Sequence, residues 1–161
     1  METTATMHLL RLKTYSWIII IGLALSGITA FPLLTELRLL VELDCWPPFV
    51  HDWLTSVYQA ISTTNQAYPY LSYGTDWLAF AHLMLAILFI GTLKDPVKNK
   101  WIIQFGLICC VLIVPLALIA GSIRQVPFFW RLIDCSFGAL AGIPLYLCHS
   151  AIGKLEKMNH P

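Results

Sequence analysis

Residues 124–149 read RQVPFFWRLIDCSFGALAGIPLYLCH, and this stretch decides the fold. From Phe128 onward it is apolar enough for a membrane-spanning helix, yet it carries Arg131 and Asp134. Ionisable groups are costly inside a bilayer and are seldom found there without a task. Arg131, Asp134, Cys135, Gly138, Gly142, Leu145 and His149 follow i, i+3, i+4, i+7 steps, so they share one helix face. The small residues in the middle of that face predict packing against other helices, with lipid elsewhere.

The rest of the chain has the same character. Of 161 residues, 58% are hydrophobic and 12% charged, about half the charged share of a soluble domain, and the mean hydropathy is +0.72. A soluble core of this length cannot hide so much apolar surface. A net charge of +1 with no run of Lys or Arg gives no footing for nucleic acid. The lipid bilayer is the expected partner, together with further copies of the chain or a larger membrane complex.

About 20 apolar residues cross a hydrocarbon core, and four segments qualify: 15–35, 77–93, 101–123 and 128–152. The first follows Arg11 and Lys13. It also has part of a signal-peptide pattern, ending Gly-Ile-Thr-Ala at Ala30, but Ile28 fits cleavage poorly and the apolar run continues through Phe31, Leu33 and Leu34. Gly22, Ser26 and Ala30 form a small-residue stripe expected to admit a neighbouring helix. Pro115 is expected to bend or unwind the third span, and Pro127 suits the first turn of the fourth.

Residues 36–76 form the one long connection, rich in Pro, Tyr and Trp. Within it Val50, Trp53, Leu54, Val57, Tyr58 and Ile61 have helical spacing, which predicts a short amphipathic helix beginning near Pro47 and Pro48. Its aromatic neighbours suit a water–lipid interface. The expected fold is therefore an all-α integral membrane protein, a single-domain four-helix transmembrane bundle with an extracytoplasmic interfacial helix between spans one and two.

The charges orient it. Arg11, Lys13, Lys94, Lys98, Lys100, Lys154 and Lys157 fall on one side, and Arg38, Arg124 and Arg131 on the other. Basic residues are retained in the cytoplasm, so both termini are expected there, in the cell membrane, with the long connection outside.

That orientation sets depths. His82 and Asp134 each lie six residues inside their spans, about 9 Å below the outer surface. They are the candidate acid–base groups, because a carboxylate beside an imidazole fixes its tautomer and raises its pKa. Arg124 and Arg131 are candidate anchors for a phosphate, a carboxylate or a lipid head group, with Asp76, Tyr73 and Glu36 as further substrate-binding candidates. The bland alternatives are an i, i+3 ion pair between Arg131 and Asp134 and a packing hydrogen bond from His82. A small membrane enzyme acting on a lipophilic substrate near the outer leaflet leads the functional expectations. An oligomeric proton-linked transporter or channel, and an accessory subunit, are the alternatives.

Of the five cysteines, none forms a CxxC, and a Cys45–Cys135 disulfide is open in an oxidising compartment. No motif for a nucleotide, for zinc or for c-type haem occurs. His149 lies about 31 Å below the outer end of span four, so it and His82 cannot ligate one haem iron. The cofactor is unknown.

Overall fold

The computed structural model describes residues 2–159. It is all-α, with no strand among those residues. Four stretches are long and apolar enough to cross a membrane: Leu9–Ala30, Pro69–Lys94, Lys100–Ile123 and Phe128–Glu156. Ile108, Val111, Leu140 and Ile143 point outward and are largely exposed. In water such a surface would drive aggregation; in a bilayer it is the solvated face. The chain is a helical integral membrane protein.

In chain order the elements are α1 (Glu2–Ala30), α2 (Leu33–Val41), α3 (Pro48–Ala67), a 3-10 turn (Pro69–Ser72), α4 (Tyr73–Lys94), α5 (Lys100–Pro115), a π-helical turn (Leu116–Ala120), α6 (Gly121–Ile123) and α7 (Phe128–Asn159). Span one starts before Tyr15 and stops before Thr35. Arg11 and Lys13 do not end the helix, since both are good helix formers with exposed side chains, whereas Pro32 lacks an N–H and disfavours helix at Phe31. The second span begins at Tyr73 or earlier, not at Trp77, and α7 continues past Ile152. The side chain of Lys157, one of the counted basic residues, lies outside the described residues.

Two compact units divide the chain, residues 1–21 with 86–161 and residues 22–85, and α1 and α4 contribute to both. In the first unit α5 packs on α7. The predicted face of α7 makes this contact: a β-carbon added at Gly138 would lie 2.6 Å from the Cys110 carbonyl oxygen, and Leu145 sits against Gly106. Pro115 is followed by the π turn, the local unwinding its ring predicts. At the end of α6, Val126 N–H donates to Gly121 O and Gln125 N–H to Ser122 O, with Gln125 at φ 58°. That is a Schellman cap, and Pro127 follows it.

The other end of this unit is held by polar contacts. Asn99 Nδ2 donates to the carbonyls of Gly91 and Asp95, closing α4. The N–H of Lys98 donates to Asp95 and, with the Lys98 ammonium, holds that carboxyl below its ordinary value. Lys100 Nζ is 2.6 Å from Glu156 Oε2, tying α5 to α7. Deeper, Thr92 Oγ1 lies 3.0 Å from Ser16 Oγ and donates to Phe89 O, while Cys148 Sγ lies 3.9 Å from Ser16 Oγ and donates to Leu12 O. Ser16, Thr92 and Cys148 are fully buried.

In the second unit Gly27, and not the Gly22 stripe, makes the close approach: a β-carbon there would meet the Ala79 carbonyl at 2.8 Å, whereas Gly22 has open space. The predicted connection is mostly helix. α2 packs on α3, each with one buried leucine, Leu37 and Leu54. Trp46 Nε1 donates to Leu40 O and His51 Nε2 to Val41 O, satisfying the last carbonyls of α2. Pro48 opens α3, and the predicted apolar face, Val50 to Ile61, is its sheltered side.

Candidate functional site

The second unit contains a cavity of about 450 Å³, within the range of small-molecule sites. Four short segments build it: residues 31–35 where α1 turns into α2, residues 60–65 of α3, Leu71 and Ser72, and Thr75 and Asp76 of α4. Pro32 creates the first of these by ending α1. Tyr68 and Pro69 create the third by stopping α3 and starting a 3-10 turn. Phe31, Leu33, Leu34, Ile61 and Leu71 make the wall apolar, and Thr35, Thr64, Asn65, Ser72, Thr75 and Asp76 place polar groups on it.

The polar groups are arranged unequally. Ser72 Oγ donates to Asn65 Oδ1 at 2.8 Å, which leaves the Asn65 amide N–H groups to donate elsewhere. Asp76 has no ion pair or hydrogen bond among the described residues, and it is the only formal charge on the cavity wall. An ionised carboxylate accepts but cannot donate. The cavity therefore offers a carboxylate acceptor, an amide donor and three threonine hydroxyls beside an apolar surface.

Of the residues singled out in the sequence, Asp76 lines this cavity, and Glu36 lies in the first turn of α2 directly after its lining. Tyr73 opens α4, is 61% exposed and packs edge-on against Trp77. His82 is two turns below Thr75 on the same face of α4. Its Nδ1 is 2.8 Å from the Leu78 carbonyl. A carbonyl only accepts, so Nδ1 carries the hydrogen and Nε2 is left for other partners.

Arg124, Arg131 and Asp134 belong to the first unit. Arg124 is exposed in the α6–α7 turn. The Arg131 guanidinium lies over the Phe128 ring, 5.3 Å from its centroid, and the ion pair with Asp134 weighed as the alternative is not among those formed by the described residues. All five cysteines are free thiols, Cys45 and Cys135 included.

Asn65, Thr64, Ser72 and Thr75 were not legible as site residues. Uncharged polar residues in a connection carry no chemistry by themselves, and the signal available was the run Thr63-Thr64-Asn65 interrupting an otherwise amphipathic helix. Compared with protein-family models, curated proteins and solved structures, the chain matches none of them.

Proposed function

We propose that this multi-pass membrane protein binds an amphiphile in the cavity of its second unit. The observation that carries the proposal is Asp76, the one formally charged residue on the cavity wall, with no partner among the described residues. A carboxylate without a counter-ion selects a head group that is cationic or donates hydrogen bonds, while Phe31, Leu34, Ile61 and Leu71 take the apolar part. The uneven count of basic residues supports a cytoplasmic placement of both termini. The cavity then opens outside the cytoplasm, where an amphiphile enters from the outer leaflet.

The test is mass spectrometry of the purified protein beside Asp76→Asn and Asn65→Ala. Wild type should carry a small amphiphile that both variants lose. Asp76→Asn should leave stability unchanged to within about 1 kcal/mol, as for a side chain without a structural task, and Asn65→Ala should cost about 1 kcal/mol for the Ser72 hydrogen bond. Absence of a ligand from wild type, together with no rise in Tm on adding long-chain alkylamines, would overturn the proposal.

The His82 geometry favours a second reading, in which the bound molecule is also turned over. With Nδ1 donating to Leu78, Nε2 is the ring nitrogen left to exchange a proton. His82→Ala should then keep the ligand and abolish its conversion. Loss of the ligand itself would assign His82 to binding.

A further inference from the structure

We propose that the turn between α6 and α7 is a binding site for the head group of an anionic phospholipid, held by Arg124 and Arg131. Both arginines belong to the first unit, and neither lines the cavity. Residues 124–127 join two membrane-length helices, so they lie at a bilayer face, the depth of lipid phosphates. The Schellman cap and Pro127 fix the backbone there.

Arg131 is held before any ligand arrives. Its stem lies against Gly121, where a β-carbon would come within 2.8 Å of Cδ and 2.9 Å of Cγ. Its guanidinium rests on Phe128, and its Nε is buried with no hydrogen-bond partner. A guanidinium stays protonated under all ordinary conditions, so its charge is answered from outside the chain or by solvent. Neither Arg124 nor Arg131 forms an ion pair with any described carboxylate.

Arg124 in the turn and Arg131 in the first turn of α7 carry planar forks that match phosphate oxygens in bidentate geometry. Exposed Phe128 supplies apolar contact at head-group depth. Preorganisation lowers the entropy lost on binding. A phosphatidylglycerol-type head group fits, because it brings a net negative charge; a phosphatidylcholine head group is net neutral, since its own choline cation offsets its phosphate, and is attracted less.

The experiment uses the full chain in phosphatidylcholine nanodiscs, titrated with phosphatidylglycerol and read by native mass spectrometry and by Tm. Wild type should prefer phosphatidylglycerol. Arg124→Gln and Arg131→Gln should each weaken that preference about fivefold, the effect of one basic residue at a charged membrane surface. Arg124 is exposed, so its variant should fold as wild type does, and it decides the question alone if Arg131→Gln does not fold. Equal binding of the two lipids overturns the proposal, as does a preference that survives Arg124→Gln. Stabilisation by excess inorganic phosphate without lipid preference also overturns it, in favour of a soluble phosphate.

Discussion

Gly138 and Gly142 are one turn apart on α7, yet an added methyl group would meet different surroundings at each. At Gly138 it would sit 2.6 Å from the rigid Cys110 carbonyl; at Gly142 the nearest atom is 3.8 Å away, an ordinary contact. Gly138→Ala should therefore cost about 1–3 kcal/mol, the range for overpacking, while Gly142→Ala should be neutral or gain from helix propensity. Thermal unfolding of the two variants checks this, and equal Tm values would show that α5 and α7 can slide apart. Gln125 offers the opposite case. Its φ of 58° costs an L-residue about 1 kcal/mol, so Gln125→Gly should raise stability by up to that amount. A lower Tm would mean that the side chain contributes more than the strain. The missing Arg131–Asp134 pair has a residue-scale cause too. Helical side chains lean toward the N-terminus, which carries Arg131 to Phe128 and away from Asp134.

At the scale of elements, the membrane spans were legible because long uncharged runs have few alternatives, and the amphipathic α3 because six apolar residues kept helical spacing. α2 was not. Glu36, Arg38 and Glu42 marked it as connection, although Arg38 and Glu42 are an i, i+4 pair, 3.9 Å apart at their closest charged atoms, and Leu33, Leu37 and Leu40 already carry the helical period. The Gly22 stripe failed for a related reason: small residues lie on several faces of α1, and only the partner helix chooses among them. The Ser16–Thr92–Cys148 cluster was equally hidden, since it joins residues far apart in sequence. It fixes how α1, α4 and α7 meet in the first unit. Thr92→Val should cost about 0.6 kcal/mol, the average for an intramembrane hydrogen bond. Ser16→Ala should cost a similar amount, and the double variant less than the sum, because each single variant leaves a polar partner stranded. Strict additivity in a double-mutant cycle would show that the two hydroxyls do not interact.

For the whole molecule, sidedness decides what the candidate sites can meet, and it is accessible to one experiment. Four spans are an even number, so both flanks of the transmembrane region lie on one side of the membrane. Counted by sequence, seven of the ten basic residues (Arg11, Lys13, Lys94, Lys98, Lys100, Lys154 and Lys157) are expected on that side. Of the residues lining the cavity, the sequence singled out Asp76 alone as a site residue, because the wall is assembled from four segments that no periodicity links. Cys45 lies in the connection that carries this wall and is exposed. Of the other thiols, Cys148 is buried and Cys109, Cys110 and Cys135 lie within membrane-length helices. A membrane-impermeant maleimide added to intact cells should therefore label Cys45, and Cys45→Ser should remove the signal. Lys98→Cys, placed in the exposed α4–α5 turn of the Cys45→Ser protein, should be labelled only after lysis. The reverse pattern would turn the molecule over. The cavity would then open to the cytoplasm, an outer-leaflet amphiphile could not be its ligand, and the two arginines would face the cytoplasmic leaflet, where anionic lipid is the ordinary counter-charge.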